Sequence, residues 1–207
     1  MHGARARFVC SACAALLLAA FTAGCASRPP QSTYKAGALP GISVTRLETL
    51  LGKPKNTLPF TLPGIDAQIL EYPFGQAIAR SGKVIAVTIA GDAAYVGPFN
   101  IRIGTSEDDL RAALRAPGKR NGRRDAYDLI VGDTVTRTKD VYDETDHVMF
   151  ELAAANANDP EAPYSVVSIN LADPDGFAFF QAVTNAKVGG MYPGQRIDNF
   201  TSETWSV

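Results

Sequence analysis

Two stretches of the chain align without gaps, GISVTRLETLLGKP at 41–54 and GTSEDDLRAALRAP at 104–117. Gly41, Ser43, Leu47, Leu51 and Pro54 recur as Gly104, Ser106, Leu110, Leu114 and Pro117. These are the positions that start, pack and stop a short helix. A serine at the N-cap accepts from a free N–H of the first turn. Leucines four apart share one face, and a proline, lacking an N–H, forbids continuation. In the first stretch Thr45 and Glu48 also have capping-box spacing, and Gly52 suits the left-handed conformation past a helix end. In the second, Glu107, Asp108 and Asp109 load the first turn with negative charge, which the helix dipole favours. Arg115 stands where the first copy has Gly52, so that helix end must close differently.

Helices of about two turns do not persist alone, so their leucine faces require a second layer. Each helix is followed by β-rich segments. AQILEY at 67–72 and KVIAVTI at 83–89 follow the first, separated by Gly75, Ser81 and Gly82. DAYDLIV at 125–131, HVMFELA at 147–153 and YSVVSINL at 164–171 follow the second. Val148, Phe150 and Leu152 alternate as one buried strand face does. The fold class expected is α+β, built as two tandem modules over 42–97 and 98–175. Each module is a short helix packed on an antiparallel sheet. Residues 176–207 are left as a C-terminal helix and tail. Asp173 caps a helix that opens at Pro174, while the segment from Met191 to Val207 shows no assignable period.

The run Gly41 to Leu47, closed by Leu51-Gly52-Lys53-Pro54 and followed by Tyr72, resembles the opening motif of the SmpA/OmlA (BamE-like) family of small outer-membrane lipoproteins. A tandem copy of such a helix-plus-sheet unit is also similar to the β-lactamase-inhibitor-protein-like fold. The resemblance implies an accessory role in the cell envelope. The motif is short, and it speaks for fold more than for function.

The N-terminus points to the same compartment. Arg5 and Arg7 precede FVCSACAALLLAA at 8–20, an apolar run too short to span a bilayer but long enough for a signal-peptide core. FTAGC then resembles a lipobox, with Thr22 in place of the commoner Leu. That resemblance implies cleavage of residues 1–24, diacylation of the Cys25 thiol and acylation of its new amino group. The alternative is an ordinary signal peptide cut nearby. Ala26 and Ser27 after the cysteine, with no Asp, resemble the signal for the outer membrane. Cleavage would leave 183 of the 207 residues, with 18 basic and 21 acidic side chains and a net charge of −3. Cys10 and Cys13 would be lost with the signal peptide, so no disulfide remains possible. Residues 25–41, rich in Pro, Gly, Ser and Ala, read as the lipidated cysteine and a tether spanning on the order of 20 Å.

No reaction is legible. After processing, His147 is the sole histidine, which excludes a Cys–His dyad and a histidine-rich zinc site. A Ser–His–Asp arrangement would have to use it, and no G-x-S-x-G elbow is present. His147 reads as an ordinary residue at the start of a strand. The acidic run Asp140, Asp143, Glu144 and Asp146 raises a Ca²⁺ site, but its spacing is not that of an EF-hand, and a solvated connection between strands is the better reading. RAPGKRNGRR at 115–124 gathers Arg115, Lys119, Arg120, Arg123 and Arg124, the candidate loop for an anionic ligand or an acidic partner. A flexible solvated loop is the plainer account, and the glycine spacing is not that of a P-loop. Tyr72, Phe74, Tyr95 and Phe99 read as packing residues, with an exposed protein-binding subset as the alternative.

No cofactor, metal or nucleic acid is expected. The expectation is a non-catalytic lipoprotein held on the periplasmic face of the outer membrane by its lipid anchor, binding an envelope protein partner. The alternatives are an inhibitor of a periplasmic enzyme and a carboxylate-based envelope hydrolase, which needs only two suitably placed acids.

Overall fold

The computed structural model describes residues 40–62, 64–90, 97–115, 121–189 and 194–206. The chain forms α1 (Val44–Leu51), then strands β1 (Asn56–Leu62), β2 (Ile65–Tyr72), β3 (Gly75–Arg80) and β4 (Lys83–Ala90). After a one-turn 3₁₀ segment at Pro98–Asn100 come α2 (Glu107–Leu114), β5 (Asn121–Val131), β6 (Thr134–Asp143), β7 (Val148–Ala154) and β8 (Tyr164–Ala172). α3 (Pro174–Val188) and β9 (Gln195–Ser206) close it.

The strands form one sheet in the order β1-β2-β3-β4-β8-β7-β6-β5-β9, and every neighbouring pair is antiparallel. This overturns the expected two tandem helix-on-sheet modules. β4 pairs with β8 from Ala86↔Ala172 to Ala90↔Ser168, so the strands after α1 and those after α2 share one continuous ladder. The physical reason is edge satisfaction. Two separate four-stranded sheets would expose the last strand of each, whereas β4 and β8 satisfy one another's backbone groups.

The two helical motifs dock alike on this sheet. The Gly41 N–H donates to the Val84 carbonyl at 2.6 Å, and the Val84 N–H returns to Ile42 at 2.8 Å. In the second copy the Gly104 N–H donates to the Val166 carbonyl at 2.7 Å, and the Val166 N–H returns to Thr105 at 2.8 Å. Gly41 and Gly104 hold φ of 99° and 87°, which explains why both copies begin with glycine. Ser43 and Ser106 are the N-caps, accepting from the Arg46 and Asp109 N–H groups. Ser43 therefore caps α1, and Thr45, despite its capping-box spacing, lies within the helix and receives the Thr49 hydroxyl on its carbonyl. α1 ends at Gly52 with φ 82°, while α2 ends at Arg115 in right-handed helical geometry.

α1 and α2 cover one face. Leu47 packs with Leu70, Tyr72, Ala77, Val84 and Val87, and Leu110 and Leu114 pack with Val141, Phe150, Leu152, Val166 and Ile169. α3 covers the other face, where Phe177, Phe179 and Phe180 meet Ala67, Ile78, Ile85, Ala86 and Tyr142. Its approach is set by a bulge in the β3–β4 register next to Ile78. The Ile85 carbonyl accepts from the Asp173 N–H at 2.9 Å, and a Cβ on Gly176 would lie 2.0 Å from that same oxygen. Only glycine lets the first turn of α3 come this close. As its sequence suggests, α3 is capped by Asp173, which accepts from the Gly176 N–H, and has Pro174 at its start.

Candidate functional site

The second half of the sheet turns an unusual row of side chains toward α3. Direct cross-strand pairing places Asp125 of β5 opposite Asp140 of β6, Asp140 opposite Glu151 of β7, and Glu151 opposite Ser168 of β8. The neighbouring row runs Arg123, Tyr142, Met149, Asn170 and Thr88. Residues two apart on a strand share a face, so both rows look the same way. Asp125 and Asp140 are 1% and 2% exposed, and Tyr142 is fully buried.

Most of these groups are satisfied within the row. Ser202 donates to Asp125 at 2.6 Å, and Arg123 pairs with the other Asp125 oxygen at 3.1 Å while lying 4.3 Å over the Tyr142 ring. Ser168 donates to Glu151 at 3.0 Å, Asn170 donates to Ser168 at 3.1 Å, and Thr88 donates to Asn170 at 2.7 Å. The Tyr127 hydroxyl donates to Asp140 Oδ2 at 2.8 Å, with Tyr142 more distant at 3.4 Å. Asp140 Oδ1 is buried with no hydrogen-bond partner. Burial, and then the neighbouring Glu151 charge, push the Asp140 carboxyl up from 3.8 to about 7, although Tyr127 and Lys187 pull the other way. Burial and the Asp140 charge raise the Tyr127 and Tyr142 hydroxyls above their ordinary range.

The acidic run expected to be a solvated connection is therefore divided by the fold. Asp140 and Asp143 belong to β6 and are buried, and Asp143 accepts from the Thr145 and Asp146 N–H groups to close the β6–β7 turn. Sequence reasoning missed β6 because its inward positions, Thr138, Asp140 and Tyr142, are polar, which inverts the usual hydrophobic alternation. Among the described residues no three His, Cys, Asp or Glu side chains converge as metal ligands. His147 sits in the turn before β7 with φ 53°, its ring 5.5 Å from that of Phe177.

The basic stretch is also redistributed. Arg123 and Arg124 lie within β5, facing opposite sides of the sheet. Arg124 pairs with Glu203 and approaches Glu107, which also binds Lys139 at 2.7 Å and Arg111 at 2.8 Å. Burial alone would raise the Glu107 carboxyl, but Lys139 and Arg111 outweigh it and hold it below the usual carboxylate range. Arg115 ends α2, and Lys119 and Arg120 lie outside the described residues, as do Cys25 and Tyr95. Tyr72 and Phe74 are buried and stacked at 5.4 Å.

Two surface depressions flank the sheet. One of about 300 Å³ lies beside Pro40, lined by Phe99, Asp146, Val148 and Leu171, where β7 begins and β8 ends. The other, about 550 Å³, lies toward the opposite ends of the strands, lined by Asp128, Val135, Arg137, Tyr164 and Asn199. Arg137 donates to the Asp159 carbonyl at 3.1 Å and Asn199 to Asp128 at 2.7 Å, so both walls are held in place. Sequence reasoning missed this groove, since its residues come from four separate segments with no shared motif. Asp125 and Asp140 are buried and line neither of these two depressions. Comparison of the chain with protein-family models, curated proteins and solved structures gives no match.

Proposed function

We propose that this protein is a non-catalytic lipoprotein of the outer membrane, anchored through Cys25 and facing the periplasm, that binds an envelope protein partner. The reading rests on the export signal and lipobox-like FTAGC at the N-terminus, together with the Pro/Gly/Ser-rich tether that follows. One observation carries the binding role. The groove bounded by Val135, Arg137, Tyr164 and Asn199 lies at the strand ends opposite Pro40, where the tether meets the folded chain. A domain hung by its N-terminus presents that end away from the bilayer. Val135, 46% exposed, adds apolar surface there. Mixed apolar and charged lining suits a polypeptide better than a lipid. Among the described residues no helix is long and apolar enough to cross a membrane.

The inhibitor reading draws no support from Arg123 and Arg124, whose guanidinium groups are committed to Asp125, Glu107 and Glu203. The test is site-specific photocrosslinking in intact cells, with the probe at position 135 or, as a control at the tether end, position 83. A discrete adduct from 135 alone, lost in Arg137→Glu, supports the reading. Equal adducts from both positions, or none from 135, overturn the groove as the binding site. Palmitate labelling that persists in Cys25→Ser overturns the anchor.

A further inference from the structure

The row beneath α3 has a charge imbalance that its packing does not remove. Facing Asp140 are Arg123, Asp125 and Tyr127 from β5, Tyr142 from its own strand, Glu151 from β7 and Lys187 from α3. β8 contributes only the neutral Ser168 and Asn170, Thr184 of α3 meets Tyr142, and Ser202 of β9 meets Asp125. Three carboxylates thus face two cations, and Arg123 is already paired with Asp125. One added proton brings the row to neutrality. The orphaned Asp140 Oδ1 marks where an ionised carboxylate is least satisfied, because a buried charge without a partner costs far more than a buried neutral acid.

We propose that Asp140 carries a proton in the folded protein, and that losing it to solvent loosens α3 from the sheet, making the helix an acid-closed latch. α3 is the element that covers the row, with Thr184 over Tyr142 at 3.5 Å and Phe177 edge-on to the Tyr142 ring at 5.7 Å. When the proton leaves, Asp140 and Glu151 repel across adjacent strands, and water must enter to solvate them. The route open to water is displacement of the helix, since the β5–β6–β7 ladder is continuous on both sides of the pair. The sign follows from linkage. Asp140 keeps its proton in the folded state to about 7, whereas the unfolded chain releases it near 3.8. The stabilisation is complete below the lower value and is lost as pH rises through the upper one.

The test is hydrogen exchange of the α3 amides, corrected for intrinsic rates, with the α1 amides as internal reference, between about pH 5.5 and about pH 8.5. The opening constant of α3 is expected to rise by about tenfold to a hundredfold over that range while α1 changes little. Asp140→Asn should abolish the rise, and Glu151→Gln should move it to lower pH, because the Glu151 charge is one of the causes that hold the proton on Asp140. A rise shared equally by α1 and α3, or one unchanged in Asp140→Asn, overturns the latch. Should Asp140→Asn fail to fold, ¹³C-carboxyl titration of the wild type decides the matter. The Asp140 carboxyl titrating near neutrality supports the proposal, and its titrating in the ordinary acid range overturns it.

Discussion

The first four strands and the second four follow the same backbone plan, yet they offer α3 opposite chemistry. Under α1, β1 to β4 form a meander whose α3-facing residues, Ala67, Ile78, Ile85 and Ala86, pack against Phe179 and Phe180. Under α2, β5 to β8 form the corresponding meander, but the same face of the sheet carries Arg123, Asp125, Asp140, Glu151, Ser168 and Asn170. The helical motifs on the opposite face match nearly bond for bond. What differs is which face of each half is left to vary. The α1/α2 face is constrained by two short helices that cannot stand without their leucines. The α3 face has a longer helix and tolerates a polar lining where hydrogen-bond partners exist. The comparison teaches that a buried acid is acceptable in this fold where partners surround it, as tyrosines, an arginine and a lysine do around Asp140 and backbone N–H groups do at Asp143.

The sharpest way to break that contrast is to put an acid in the apolar half. Ala86→Asp would bury a carboxylate among Ile85, Phe177 and Phe179 without a polar partner. It is expected to cost more than about 4 kcal/mol or to prevent folding, measured by urea unfolding at neutral pH. A stability near wild type would mean that α3 yields on the first half as readily as on the second.

Next in size, Leu47→Ala and Leu110→Ala test whether the two helical motifs carry equal weight. Both side chains are fully buried, and each substitution should cost about 2 to 5 kcal/mol, from lost transfer energy and the cavity left behind. Equal losses would match their equivalent docking. A clearly larger loss at Leu110 would show that the core under α2 is the main source of stability.

The smallest effect expected is at the caps. Ser43→Ala and Ser106→Ala should each cost about 1 kcal/mol, while Thr45→Ala should cost about 0.5 kcal/mol or less, since Thr45 does not cap α1. Thermal unfolding of the three variants separates the cap from its capping-box lookalike.

These outcomes also mark how far the sequence could be read. The helices announced themselves through Ser43, Leu47, Leu51 and their echoes, because capping and amphipathic spacing are local rules. Strands whose buried faces are apolar were equally plain, as in Val148, Phe150 and Leu152 of β7. β6 was hidden because Thr138, Asp140 and Tyr142 face inward, and β1 because Pro59 sits mid-strand, tolerated since that strand is the sheet edge. β9 was hidden because an edge strand with one exposed side has no strict alternation, as its run of exposed residues from Asn199 to Thr204 shows. Arg123 and Arg124 look like a loop in sequence, but alternate to opposite faces of β5, where each finds its own acid.

The sequence by itself determined the two short helices, their caps and stops, the apolar strands, and the start of α3 at Asp173 and Pro174. Each depends on residues within one or two turns of each other. Only the tertiary structure decided that β4 pairs with β8, so that a sheet expected as two became one. Only the tertiary structure gathered Asp125, Asp140 and Glu151 from three strands into a single row under α3. Strand pairing and burial join residues far apart in the chain, and the cost or comfort of a buried carboxylate depends on neighbours that no local pattern names.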